Sequence, residues 1–256
     1  MNIRIPSFKK TVLVTGIAIL SIPSFAQQNQ LSLFNLKDVK LHTGLFEEAM
    51  YTDLDYILQM EPDRLLAPFL REAGLQPKAE SYPNWENTGL DGHIGGHYLT
   101  ALAQMYASAG SDEALQRLNY MIGELKKAQD ANGNGYVGGI PDSKRIWKEI
   151  SEGKINAGGF SLNGGWVPLY NIHKTYAGLR DAYLIAGNEE AKQMLIDLAD
   201  WMIDTTANLS EAQIQEMLKS EHGGLNKTFA DVYKMTGDQK YLDLAYAFTQ
   251  KQVLDP

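Results

Sequence analysis

Five histidines are scattered through the chain; four of them stand at the start of apolar-periodic runs, three of these beside a glycine pair. Asp91-Gly92-His93-Ile94-Gly95-Gly96-His97 opens one such run, Asn171-Ile172-His173-Lys174 lies at the head of a second, and Glu221-His222-Gly223-Gly224 precedes a third. Imidazoles there can hydrogen-bond a polyhydroxylated ligand, cap a helix, or fill a core position. On one helix His93 and His97 would share a face, a spacing able to hold a metal. Gly95 and Gly96 between them favour a loop at His93 and a helix that starts at His97. Trp166 and Tyr170 offer flat apolar faces, with Asn171 and His173 as directional hydrogen-bonding groups. Sugar sites combine these two elements, although the same aromatics at helical spacing also suit a core. Glu221 is placed to act as acid, base or hydroxyl acceptor, or to be a solvated helix end, and Asp91 is the other carboxylate in a comparable loop.

The runs that carry these residues share a phrase. His97 to Gly110, His173 to Gly187 and Leu225 to Gly237 each place a tyrosine (Tyr106, Tyr183, Tyr233) four residues before a closing glycine. A polar pair and a second amphipathic run follow each time. That is a helix, a glycine cap and a helix, the unit of an α/α toroid or of an open solenoid. Helices are expected over 36–60, 63–73, 94–108, 112–129, 167–186, 189–205, 210–220, 225–235 and 239–253, with Phe46, Met50, Leu54, Tyr56 and Ile57 facing the core in the first. A shorter amphipathic run covers 142–152 inside an irregular, glycine-rich stretch from 130 to 166, and irregular segments of that length are usually functional. No segment alternates with period two, so the expected class is all-α, an (α/α)6 toroid or barrel that is incomplete in this chain.

Composition narrows the partners. The formal charge is −8, and removing Arg4, Lys9 and Lys10 takes it to −11. No basic stripe exists for nucleic acid. Those three cations, the apolar Thr11–Ile22 run and the Ser24-Phe25-Ala26 site read as a signal peptide over 1–26, which predicts export to the periplasm or exterior. The run is too short for a membrane span. The chain has no cysteine, so it carries neither a thiolate nucleophile nor a thiolate metal site. Asp130, Asn132 and Asn134 resemble the opening of a calcium loop, but Pro141 stands where its closing glutamate is needed, and a turn is the better reading. No metal ligand set is expected.

The phrases GHIGGHYLTALAQMYASAG, YNIHKTYAGLRDAY and EHGGLN with TGDQKYL resemble the β-L-arabinofuranosidase family, glycoside hydrolase families 127 and 146, from about Leu36 to Pro256. The resemblance implies an (α/α)6 catalytic barrel and retaining hydrolysis of β-linked L-arabinofuranose in plant glycans. It also implies a zinc-held cysteine nucleophile with further Cys and Glu ligands, and a separate glutamate acid/base. It places sugar contacts at His93 and His173, with Glu221 and His222 near the same pocket. Lys227 stands where the family pattern has a glutamate. With no cysteine, the 27–256 segment is expected to be the N-terminal portion of such a catalytic domain. Its substrate-binding residues would be His93, His97, Trp166, Asn171, His173, Glu221 and His222, with no catalytic residue and no cofactor of its own. Such a portion is expected to be inactive alone. The alternative is a non-catalytic carbohydrate-binding or decayed α-toroid protein.

Overall fold

The computed structural model describes residues 33–254; the 1–26 leader assignment lies outside them. After a 3₁₀ turn at Leu36–Asp38 come α1 (Leu45–Gln59), α2 (Pro62–Glu72), α3 (His93–Ala109), α4 (Asp112–Asn132) and α5 (Ser143–Ser151). A three-stranded antiparallel sheet follows, β1 (Ala157–Gly158), β2 (Ser161–Leu162) and β3 (Gly165–Trp166). Then come α6 (Pro168–Leu184), α7 (Glu189–Thr206), α8 (Glu211–Met217), α9 (Leu225–Thr236), α10 (Gln239–Ala247) and α11 (Lys251–Leu254).

The shared phrase does what its spacing requires. Gly110, Gly187 and Gly237 have φ of 71°, 75° and 73°, and their N–H groups donate to the carbonyls of Tyr106, Tyr183 and Tyr233 at 3.2, 2.8 and 2.7 Å. A left-handed residue here turns the chain and satisfies a terminal carbonyl. The next helix is capped by the polar residue that follows. Ser111, Asn188 and Asp238 accept from the backbone N–H of Ala114, Ala191 and Lys240. Three hairpins result, α3–α4, α6–α7 and α9–α10, with α3 packed on α6 and α6 on α9. On the other side α4 packs on α2 and α7. The three first helices run side by side in one direction, as an α/α toroid requires. Between the layers lies one core, in which Tyr176, Phe229 and Phe248 stack edge to face at 5.2–5.3 Å.

Three expectations need correction. The helix over 36–60 is two pieces, because Gly44 adopts φ 154° and ψ −169°, outside the helical region. Of its expected core face only Leu54 and Ile57 are buried, while Phe46 is 78% and Tyr56 63% exposed. The class is all-α as expected, but 157–166 forms a small sheet whose two-residue strands are too short to show alternation. The run over 239–253 breaks after Ala247. At the 130–136 turn, Asn132 Nδ2 donates to Tyr136 O at 3.0 Å and Asn134 Oδ1 accepts from Tyr136 N at 3.1 Å. Both side chains thus bond the Tyr136 backbone and close the turn.

Candidate functional site

Parallel first helices bring their N-terminal ends together, and the histidine-bearing segments are those ends. The approach is closest where α3 meets α6. A Cβ on Gly96 would collide with the backbone carbonyl of Lys174, and one on Gly178 would lie 2.6 Å from Gly96 O. Gly96 and Gly178 are therefore packing residues. They let two helices touch backbone to backbone and so fix His93 and His97 against Tyr170 and His173.

His93 is the first residue of α3 and is buried, not presented by a loop. The helix starts there because Glu86 receives its free amides: Gly92 N and Ile94 N donate to the carboxylate at 2.9 and 3.0 Å. This is a cap supplied from seven residues upstream, favourable also because the carboxylate meets the positive end of the helix dipole. The Nδ1 atom of His93 lies 2.7 Å from Glu86 Oε1 and 2.9 Å from Leu90 O. Both are acceptors, so Nδ1 carries a hydrogen and, in the neutral ring, Nε2 is the accepting nitrogen. The ring packs near Trp85, His97 and Tyr170, with centroids 6.1, 6.2 and 6.4 Å away.

His97, one turn further along α3, is exposed. The protein around the inner side of the ring, which strips part of its water, and then the Lys174 cation hold its pKa below the usual histidine range. Asn171 is fully buried, and its Nδ2 donates to Leu90 O and Asp91 O at 2.9 Å each. It ties the 90–91 loop to α6 from beneath, so its amide nitrogen holds the loop instead of facing solvent. Asp91 is likewise buried and committed, to Arg71 at 2.7 Å and Gly89 N at 2.9 Å, and burial raises its pKa.

His173 lies half-buried on the next turn of α6, its Nδ1 buried without a protein partner. Gly223 and Gly224 lie flat on its ring: a Cβ on Gly223 would strike the imidazole, and one on Gly224 would come within 3.3 Å of Nε2. The ring is pushed down to about 4, by burial first and then by Lys174, His97 and Lys227, so it is neutral in ordinary buffers. Resting on His173, the 221–224 loop is fixed further by two backbone bonds. Glu221 N donates to Gly159 O at 3.0 Å, and Tyr170 N donates to Glu221 O at 3.2 Å. The glutamate side chain stays exposed, and His222 Nδ1 lies 3.1 Å from Ser220 O. Lys174 Nζ lies 4.1 Å above the Tyr170 ring, its pKa lowered by burial. Lys227 pairs with Asp231 at 2.8 Å. Trp166, exposed at the end of β3, lies beside Gly89.

Of the seven expected ligand contacts, His97, His173, His222, Glu221 and Trp166 meet at this end of the fold with an accessible edge. His93 and Asn171 lie beneath as supports. Sequence reasoning missed Glu86, Trp85 and Lys174. Glu86 had a findable signal, a carboxylate a few residues ahead of a helix that lacks a capping side chain at Gly92. A thiolate-held zinc does not fit these residues. The chain has no cysteine, Glu86 is occupied by two amides and His93, and the described residues hold no group of three His, Asp or Glu side chains placed to share an ion. What the arrangement can do is hold a neutral, hydroxyl-rich ring, with imidazole edges around it and an indole face beside it. No described helix is long and apolar enough to cross a membrane.

A family model described as β-L-arabinofuranosidase, GH127 catalytic domain, matches residues 38–256. Among solved structures, that of a GH127 β-L-arabinofuranosidase from Geobacillus stearothermophilus T6 is similar in fold, with a TM-score of 0.51 at 18% identity. The match covers 79% of this chain and 28% of that one, so the chain spans little more than a quarter of that relative's length. No curated protein matches.

Proposed function

We propose, from the premise that this chain belongs to the GH127 β-L-arabinofuranosidase catalytic-domain family, that it forms the sugar-holding part of an exported glycoside hydrolase. The substrate is an L-arabinose-containing plant glycan, and the reaction releases L-arabinose. The observation that carries this reading is the convergence of His97, His173, His222, Glu221 and Trp166 on the N-terminal ends of three parallel helices.

A neutral His173 suits this role. An uncharged imidazole accepts at one nitrogen and donates at the other, as vicinal hydroxyls require, whereas an imidazolium only donates. Retaining hydrolysis needs a nucleophile and an acid/base. Any thiolate nucleophile of the kind the resemblance implies lies outside these 256 residues, and the 256 residues alone are proposed to bind without turnover. The leader over 1–26 would carry the protein out of the cytoplasm, and mass spectrometry of the mature N-terminus checks that step.

A second reading is favoured by one observation, the absence of cysteine: a carbohydrate-binding toroid with no chemistry. One measurement tests both and a second separates them. Calorimetry with L-arabinose-rich glycans should give binding in both cases, and folded protein that produces no heat removes both. Arabinose release by a longer form of the protein, lost on His173→Ala, supports the hydrolase; a fully active His173→Ala enzyme refutes the site assignment.

A further inference from the structure

Beside the histidine cluster lies a cavity of about 790 Å³, bounded by α1, the 82–86 segment and the outer face of α3. Its size is that of a ligand pocket. Two large aromatics stand at its edges with their faces in water, Trp85 at 60% and Tyr56 at 63% exposure. A core role would bury them, and single exposed apolar residues are unremarkable, but two that border one concavity are a different matter. Trp85 is held out by its own backbone. Pro83 fixes the entry, and Asn84 takes φ 66°, an unusual value for a residue with a side chain.

Four polar groups of the cavity are unengaged. Asp53, Asn84, His97 and the Tyr56 hydroxyl have no side-chain hydrogen bond among the described residues. In contrast, Tyr82 and Tyr98, which also line it, are committed, Tyr82 accepting from Glu61 N and Tyr98 donating to Ile57 O. An amphipathic helix or an acyl chain docking here would strand Asp53 and Asn84 without partners. A saccharide ring would not, because its faces are apolar and its rim is hydroxyl. Continuity points the same way: His97 lines this cavity and also neighbours His93 in the cluster, and Trp85 borders both.

We propose that the Tyr56–Trp85 cavity is a second saccharide subsite, taking the next ring of a glycan whose terminal residue lies among His97, His173 and His222. The assignment rests on the reading of that cluster as a sugar site. It makes the protein a reader of chain length: a monosaccharide fills the cluster only, and an oligosaccharide fills both regions.

The test is titration of the full chain with L-arabinose and with an L-arabinofuranose trisaccharide, followed by saturation-transfer NMR and calorimetry. The trisaccharide is expected to bind about tenfold more tightly, the scale of one added aromatic stacking contact plus a hydrogen bond. Tyr56→Ala should remove most of that gain and leave L-arabinose binding unchanged, and Trp85→Ala, which borders both regions, should also remove the gain. Both side chains are largely exposed, so circular dichroism should show intact folding. Ala101→Trp, which fills the cavity from α3, should act like the truncations. Trisaccharide binding that is no tighter than monosaccharide, or that is unaffected in Tyr56→Ala and Trp85→Ala, overturns the proposal while the cluster assignment stands. Failure of both sugars to bind folded protein overturns the cluster assignment and the subsite together.

Discussion

Replacing Gly96 by alanine puts two effects of opposite sign in competition. In an exposed helix, glycine to alanine stabilises by about 1 kcal/mol, because alanine loses less backbone entropy on folding. At Gly96 the added methyl would fall inside contact distance of Lys174 C and O and 2.6 Å from Thr175 N, all backbone atoms of α6. Backbone cannot rotate away as a side-chain tip can, so α3 and α6 must separate. Overpacking of this kind costs about 1–3 kcal/mol, and strain against two backbone groups belongs at the upper end. The net expectation is a loss of about 1–2 kcal/mol, or a Tm lowered by roughly 2–8 °C for a domain of this size. Gly123 on α4 is the control, since a Cβ there meets nothing within 4 Å, and Gly123→Ala should gain about 0.5–1 kcal/mol from propensity alone. Urea and thermal unfolding followed by circular dichroism measure both. If Gly96→Ala stabilises as much as Gly123→Ala, the close crossing of α3 and α6 is wrong, and so is the site geometry built upon it.

Stability should fall on acidification through His173. The unfolded ring takes its proton near pH 6.5, and the folded ring resists until about 4. Its contribution is therefore intact above the unfolded value, drains away as pH falls between the two, and is flat below. Allowing for partial exposure of the ring, that is roughly 1–2 kcal/mol; His97 acts in the same direction. Urea titrations of wild type and His173→Gln across this window should differ in slope, and identical slopes would contradict the assignment. Asn171→Leu keeps the volume but leaves Asp91 O without its donor, while Leu90 O keeps His93, for an expected loss of about 1–3 kcal/mol in urea unfolding. Glu86→Gln replaces one acceptor by an NH₂ facing the α3 amides. It should cost about 1–3 kcal/mol and speed amide exchange at residues 92–96; unchanged exchange there would show that the carboxylate is not the cap.

Much of the fold can be read from the chain because its punctuation is local. A tyrosine four residues before a glycine, followed by Ser-Asp, Asn-Glu or Asp-Gln, specifies one helix end and the next helix start within seven residues. Where the determinant is remote, reading fails. His93 looks like a loop residue beside Gly95 and Gly96, and becomes helical because Glu86 folds back to receive the first amides. Asn171 has the look of a sugar ligand and is instead buried beneath the 90–91 loop, a partner eighty residues away in sequence. Phe46 and Tyr56 have helical spacing, yet α1 turns them outward, because position on a helix says which residues share a face and not what covers it. That His173 and Trp166 share one end of the fold was legible, since both lie where α6 opens and the repeated phrase already sets that helix's direction.

The parallel run of α3, α6 and α9 has a practical side. If the imidazoles gather where these helices begin, the turns at Gly110, Gly187 and Gly237 gather where they finish, one helix length away. All three turns have open space around the glycine. A biotin, a fluorophore or a surface tether placed in any of them would leave the proposed recognition end facing outward. Immobilised in that way, the protein would present every copy in the same orientation to a soluble glycan.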